Sequence, residues 1–600
     1  MATLNSGTKL INKSDIRKAL PVKGPLGALI ASCAMSLLGL NRINRLYPQF
    51  GAYKGREFTK EAMKTFGIST DILPEEVEYI PKEGPFIIVS NHPFGGWDGI
   101  VLYNTVAAVR PEFKILTNFI LSMIPNLRDS FLAVNPFSDR KQLRSSLPGL
   151  KAAMETIERG GCVGIFPAGE VSTYYKGRRY PADKEWTHTV MKLVTSCKVP
   201  VLPVYFDGSN SRTFHLLGRI HPMLRTLSLP RELLRRSGGT VTMRIGRLIP
   251  AGEIARWSDP RELGRMLRNR VYAMEANVPR NEEGQQISAV QEPLMPPVPL
   301  SELRREMEAL TPLFEASRYQ CFLADTAQIP FMMQEIGRRR EESFRQVGEG
   351  TGAEIDTDSF DTYYKHLILW DNEAGQLAGA YRLGIGREIM EKYGVKGFYT
   401  HTLFNYSDRF TALLPECIEL GRSFLSVDYK KEALPLMLLI KGLFYTVLKY
   451  PDCKYLFGPA SITSWLPPFY RSLIVFGLTE TAARNESAKG LVTPRTPFKY
   501  EFLRTDPELL LSGRMDTIDA FDKYIQRLSD GRFRIPTLIK KYVKLNADIL
   551  AFNVDKDFNY CVDGMIFLDM ARVPASEIEM LTKGSEDRDA LIEQFWLKRN

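Results

Sequence analysis

Two rhythms of apolar and polar residues alternate along this chain. Short unbroken apolar runs at Pro85–Ser90, Phe131–Phe137, Cys162–Phe166 and Val199–Phe206 are separated by stretches of helical periodicity, the clearest from Arg140 to Arg159. Buried strands alternating with amphipathic helices predict an α/β layer with a largely parallel sheet. The pattern stops at Asn277–Leu300, where proline, glutamine and glutamate replace it and mark a linker. It resumes with predicted strands at Gln376–Leu383 and Glu416–Phe424, a long helical run from Ala433 to Tyr450, and a strand at Tyr455–Gly458. The prediction is two α/β domains.

Polar loops at strand ends are where such sheets carry function. The first loop is the most informative, because Pro85–Ser90 runs into Asn91-His92-Pro93-Phe94-Gly95-Gly96-Trp97-Asp98. An imidazole followed by a carboxylate across a Gly-Gly turn supplies a general base and a group to orient it and stabilise its charged form. No Gly-x-Ser-x-Gly elbow is present, so the hydroxyl such a base activates belongs to the substrate. The plainer alternative is a structural histidine in a glycine turn.

Charge sharpens this picture. The 600 residues carry a net charge of +10 and are too many for a single core. Residues 1–280 hold 40 Lys and Arg against 23 Asp and Glu, which leaves the remainder net acidic. A basic first half suits an anionic membrane surface, or is simply a solvated face. Nucleic-acid binding would bring a zinc spacing, an RNP-like motif or a basic heptad region, and the sequence has none. Seven scattered cysteines without a Cys-x-x-Cys pair fit a reducing compartment, and six histidines without His-Glu-x-x-His predict no bound metal. The apolar segment Pro25–Leu40, flanked by Lys18, Lys23, Arg42 and Arg45, is short for a span of a ~30 Å core. It reads as an interfacial helix or a buried core helix.

Residues 70–250 resemble the glycerolipid (lysophosphatidic-acid-type, PlsC-like) acyltransferase family, on the His92–Asp98 block and on Phe166-Pro167-Ala168-Gly169-Glu170. The resemblance implies His92 as base, Asp98 as its orienting partner, and Gly169 and Glu170 at the acceptor site. Arg140 is the candidate for the arginine that holds an acceptor phosphate. Five residues separate His92 from Asp98 where the family has four, and the glutamate is displaced by two positions. With no clear phosphate-block arginine, these departures point to a hydroxylated lipid acceptor without that phosphate.

The second half resembles ornithine N-acyltransferases, and more distantly the acyl-homoserine-lactone synthases, on Glu342-Ser343-Phe344-Arg345, Ala380-Tyr381-Arg382-Leu383 and Glu419–Phe424. A GNAT-like fold follows from that resemblance. The stretch Val427–Pro435 lacks the Gln/Arg-x-x-Gly-x-Gly/Ala loop that cradles a pantetheine phosphate, so the donor need not be a coenzyme A thioester, and the resemblance to these families implies acyl carrier protein. An attacking ammonium must lose a proton, and Glu419 on the central strand is the candidate base. Arg345, Arg382 or Arg422 would fix an amino-acid carboxylate. The alternative is a structural Glu419–Arg422 ion pair.

The whole chain therefore resembles bifunctional ornithine lipid synthases. The expectation is a membrane-associating segment (1–60), a PlsC-like α/β O-acyltransferase domain (61–276), a linker (277–300) and a GNAT-like α/β N-acyltransferase domain (301–600). Expected partners are acyl carrier protein, a membrane lipid surface and an amino acid, with no further cofactor and no nucleic acid, at the cytoplasmic face of a bacterial inner membrane. A phospholipid acyltransferase with a non-catalytic donor-binding second domain is the competing reading. The amino acid is left open among ornithine, glycine, serine and lysine.

Overall fold

The computed structural model describes residues 10, 32, 35–118, 124–134, 140–175, 180–220, 222–279, 291–482, 488–502, 504–583, 589 and 592–593. The segment Pro25–Leu40 therefore lies largely outside the described residues. The chain divides into two compact units. The first comprises residues 1–280 with the later segments 503–512 and 527–530, and the second takes the remainder. Two short stretches from beyond the linker thus belong to the first unit, where the backbone N–H of Asp506 donates to Asn269 and the side chain of Asn277 donates to the Leu528 carbonyl. Neither stretch carries a periodic signal that would have assigned it there.

The first unit is built on strands β1 (Ser69–Asp71), β2 (Phe86–Ser90), β3 (Lys114–Asn118), β4 (Phe131–Val134), β5 (Cys162–Ile165), β6 (Val201–Phe206) and β7 (Thr240–Ile245). They lie in the order β1-β7-β6-β2-β5-β3-β4. All neighbours pair in parallel except β6 with β7. The continuous apolar run of β2 is explained by its place at the centre, where all five residues are buried. Its side chains alternate. Phe86 and Ile88 join a core layer with Val101 and Leu102 of helix α2 (Trp97–Val109), which also takes in α1 (Gly55–Phe66). Ile87 and Val89 join a second layer with α3 (Arg140–Glu158), α4 (His188–Cys197) and a later helix, Pro260–Ala273. Each fully buried aliphatic or aromatic side chain contributes about 1.5–3 kcal/mol, so β2 and its wholly buried neighbour β6 are firmly fixed in the sheet. Between β6 and β7 the chain forms two consecutive helices, α5 (Arg212–Ile220) and α6 (Pro222–Arg235).

The second unit carries β8 (Phe314–Ala316), β9 (Tyr319–Asp325), β10 (Lys365–Asp371), β11 (Gln376–Ile385), β13 (Cys417–Leu425), β14 (Tyr455–Ile462), β16 (Asp548–Asp555) and β17 (Cys561–Asp569) in one sheet of order β16-β17-β14-β13-β11-β10-β9-β8. A small separate pair is formed by β12 (Phe404–Tyr406) and β15 (Val492–Pro494). Within the large sheet β13 and β14 are parallel, joined by the crossover helix Ala433–Lys449, and the other neighbours are antiparallel. Their pairing lasts three positions, Cys417–Glu419 against Tyr455–Phe457. A Cβ at Gly458 would stand 2.0 Å from the Leu420 carbonyl oxygen, so only glycine fits at that close approach. Beyond it β13 stays with β11 through a bulge, and Arg422 there adopts φ 49. Among the described residues no helix is long and apolar enough to cross a membrane.

Candidate active sites

The end of β2 positions the first site. Asn91 ties it to the end of β6, its side chain donating to the Phe206 carbonyl (2.8 Å) and accepting from the Phe206 N–H (2.7 Å). The loop then turns at Gly95, φ 80, and enters α2. Asp98 in the first turn of α2 is fully buried. Its Oδ2 accepts the backbone N–H groups of Phe94 (3.0 Å) and Gly95 (3.1 Å), and its Oδ1 that of Gly99 (2.9 Å). The sequence spacing thus folds into a carboxylate fixed by three backbone donors, with His92 Nδ1 2.9 Å from Oδ2. At that distance the carboxylate favours the charged form of the imidazole.

Burial opposes a charge on His92, but Asp98 and, more weakly, Asp183 outweigh it and raise the imidazole pKa. Burial pushes Asp98 up, and His92 together with the Phe94 and Gly95 N–H groups more than offsets this, holding it below the usual carboxylate range. The His92 ring lies against Phe166, centroids 4.3 Å apart. The two sequence motifs of this unit therefore meet at the imidazole.

After β5 the chain turns at Gly169, φ 70, and presents Glu170. Its carboxylate takes the guanidinium of Arg225 from α6, the Tyr175 hydroxyl at 3.3 Å and, at 3.8 Å, the Lys184 ammonium. Arg225 is buried and was not legible in the sequence, since it sits in a helix far from either motif. The side chain of Arg140, at the start of α3, lies outside the described residues.

Asp183 is a second residue that the sequence did not mark. Fully buried, it accepts the backbone N–H of His92 (3.2 Å), the Ser172 hydroxyl (2.5 Å) and the Trp186 indole N–H (3.1 Å). The Ser172 N–H in turn donates to the His92 carbonyl (2.8 Å). Asp183 thus pins the histidine's backbone and adds negative charge beside its ring. Replacing it with Asn keeps an acceptor oxygen and removes the charge, which lowers the His92 pKa. A base works in its neutral form, so the acid limb of the pH–rate profile for ester formation is expected to move to lower pH in Asp183→Asn. An unmoved limb in a folded variant would deny the charge this role.

The second unit holds a buried charge cluster. Arg382 on β11 and Arg422 on β13 both reach Asp358, at 2.5 Å and 3.3 Å, and Arg382 also reaches Asp361 at 3.3 Å. Arg340, from the helix Pro330–Arg345, pairs with Asp361 (2.8 Å) and Asp356 (3.2 Å). The Arg382 guanidinium also stands 5.3–5.5 Å from the rings of Phe360, Tyr364 and Tyr399. Burial raises Asp361 and Asp358, yet the arginines outweigh it and hold both carboxyls below their usual range. Two of the three arginines singled out in the sequence meet here. The third, Arg345, instead pairs with Glu341 (2.8 Å) and donates to the Ala353 carbonyl (2.7 Å).

Glu419 does not pair with Arg422. Its fully buried carboxylate accepts the Thr400 N–H (2.7 Å), the Thr400 hydroxyl (2.5 Å), the Tyr399 N–H (3.1 Å) and the Tyr364 hydroxyl. Burial raises its pKa and those four donors work against the rise. A carboxylate so engaged fixes the Tyr399–Thr400 turn, whose Tyr399 ring lies against the Arg382 guanidinium. His366 is buried against Thr326 and the Asp361 carbonyl, and burial lowers its pKa to about 4. Trp370 is core, whereas Trp465 is exposed.

Comparison with known proteins matches two stretches of the chain to two families. Residues 35–279 match the acyltransferase family, and residues 339–440 the acetyltransferase (GNAT) domain. Over 256 residues the chain is 31% identical to a glycine N(alpha)-acyltransferase of Bacteroides thetaiotaomicron, covering 41% of this chain and 74% of that protein. The chain belongs to this acyltransferase family. The acyltransferase is also 25% identical over 272 residues to a lyso-glycine lipid O-acyltransferase of the same organism, covering 43% of this chain and 97% of that one. The crystal structure of the 1-acyl-sn-glycerophosphate (LPA) acyltransferase PlsC from Thermotoga maritima aligns at 17% identity and a TM-score of 0.25, over 42% of this chain and 91% of its own. The acyltransferase is an enzyme of the lipid or amino-acid-lipid type, with a PlsC-like α/β domain followed by a GNAT domain.

Proposed function

We propose that one chain carries out both acylations of an amino-acid lipid. The GNAT domain joins a 3-hydroxyacyl chain to the amino group of an amino acid, and the PlsC-like domain then acylates that 3-hydroxyl. The observation that carries this reading is that one chain matches both an acyltransferase family and a GNAT domain, and is similar to two separate relatives, a glycine N(alpha)-acyltransferase and a lyso-glycine lipid O-acyltransferase. His92, raised in pKa by Asp98, takes the proton of the 3-hydroxyl as it attacks an acyl thioester. The carrier protein's thiol leaves with a proton, so the ester forms without a serine intermediate. Arg422, the least buried arginine of the cluster, supplies a guanidinium for an amino-acid carboxylate, with Arg382 fixing the aspartates behind it, and acyl carrier protein is the proposed donor. The site of action is a membrane surface, where the mono-acyl product stays between the two steps.

Glycine is the amino acid this reading favours, after the relatives' names. Ornithine is the second reading, on one observation. Burial and mutual repulsion raise Glu349 to about 7, and burial, Asp555 and Glu349 hold Asp563 well above the carboxylate range, so a second ammonium near these acids would relieve them. Mass spectrometry of lipids from a heterologous host expressing the full chain decides the matter. The expected product is a phosphorus-free lipid with one amide-linked and one ester-linked chain, and the head-group mass separates glycine from ornithine. Phosphatidic-acid derivatives alone would favour a phospholipid acyltransferase with a non-catalytic second domain.

A further inference from the structure

The helical pair α5–α6 bears directly on the first site. Leu229 and Leu233 of α6 seat against the glycines of the His92 loop, since a Cβ on Gly95 would stand 2.6 Å from Leu229 and one on Gly96 3.0 Å from Leu233. The Trp97 indole N–H donates to the Leu233 carbonyl at 2.9 Å, and Arg225 of the same helix pairs with Glu170. The part of the pair turned away from these contacts is apolar and uncovered. Leu216 and Ile220 on α5 are 59% and 69% exposed, and Leu224 and Leu227 on α6 are 39% and 43% exposed. Positions i and i+4, or i and i+3, share one side of a helix, so each helix presents its two apolar residues together. Scattered exposed leucines are ordinary, but four within twelve residues form a patch that marks an interaction surface.

Charge identifies the partner. Residues 209–239 contain six arginines and a single carboxylate, Glu232. Glu232 is buried and held by the Ser211 N–H and hydroxyl, at 3.0 and 2.6 Å, and Arg225 is engaged by Glu170. Arg212, Arg219, Arg231 and Arg235 are exposed. An apolar patch rimmed by cations, with no exposed carboxylate among its described residues, has the makeup of a face that enters the headgroup region of an anionic bilayer. A protein partner would need carboxylates matched to those arginines, whereas anionic lipid supplies negative charge without registry. We propose that α5–α6 is the bilayer-docking face of this enzyme, delivering membrane-resident acceptor to the loop it supports. This rests on the reading of the first unit as an O-acyltransferase acting on a lipid.

The test uses the full chain and the variant Leu216→Gln/Ile220→Gln/Leu224→Gln/Leu227→Gln, floated with vesicles of phosphatidylcholine alone or with added phosphatidylglycerol. Wild type is expected to float with the anionic vesicles, less so at high salt, and the variant to bind at least about tenfold more weakly. Its ester formation on a detergent-dispersed mono-acyl acceptor should match wild type. Should the fourfold change unfold the protein, Leu216→Gln/Ile220→Gln gives the same reading with a smaller loss. Undiminished flotation of the folded variants overturns the proposal, as does wild type that stays off vesicles but self-associates through this patch in a way the variant abolishes. Wild type that is inactive on dispersed acceptor refutes the O-acyl reading instead, and leaves the vesicle result to stand by itself.

Discussion

His92→Ala is expected to stop ester formation and leave the mono-acyl amide to accumulate. The imidazole is the one titratable group shared by the two motifs of the first unit, set against Asp98 on one side and Phe166 on the other. Losing a positioned general base commonly costs about 10²–10⁴-fold, a change plain in the ratio of mono- to diacyl product. Asp98→Asn should fall in the same direction, because the carboxylate that favours the imidazolium becomes neutral and its amide nitrogen can no longer accept from the backbone N–H groups that both oxygens now serve. Amide formation, assigned to the other unit, should persist in both variants. Normal diacyl product from folded His92→Ala would remove the imidazole from the mechanism and return it to the role of a structural histidine in a glycine turn.

The second large effect is expected from Arg382→Ala, and it is one of stability. Three arginines face three aspartates in the second unit, and Arg382, wholly buried, is shared between Asp358 and Asp361. Removing one partner from a buried ion pair leaves an uncompensated charge and costs about 3–5 kcal/mol. The sign with pH follows from the depressed carboxyls. Asp358 and Asp361 are stabilising while ionised, above their unfolded values, and that contribution is lost as pH falls through their folded values. The penalty of Arg382→Ala should therefore shrink on acidification, since protonation removes the charge the arginine leaves behind. Denaturant unfolding of wild type and variant across the acidic range measures both quantities. A loss below about 1 kcal/mol, within the ordinary run of substitutions, would mean that Arg340 and Arg422 suffice for the three aspartates.

How much of this was legible in the sequence differs between the units. In the first, β2, β5 and β6 and the His92–Asp98 loop follow from local pattern, because a central parallel strand is apolar throughout and the motif is contiguous. Arg225 and Asp183 were not legible. They reach the site from a helix and a loop whose sequence is ordinary, and only the fold brings them within hydrogen-bonding distance of Glu170 and His92. In the second unit Arg382 and Arg422 stood out, but their aspartates lie in the irregular stretch around Asp356–Asp361, which has no period to read. Glu419 stood out as well, yet the sequence gives no hint of the four donors that engage it, three of which come from a turn some twenty residues away.

The pairing of β13 with β14 ends at Glu419, and three residues further on Arg422 takes a left-handed backbone conformation. For a side chain with a Cβ that conformation carries a penalty of roughly 1–2 kcal/mol that glycine escapes, so the bulge stores strain at a residue whose side chain the cluster needs. A glycine at this position would relieve the strain but lose the guanidinium that pairs with Asp358, so the backbone conformation and the charge cluster make opposite demands on one residue.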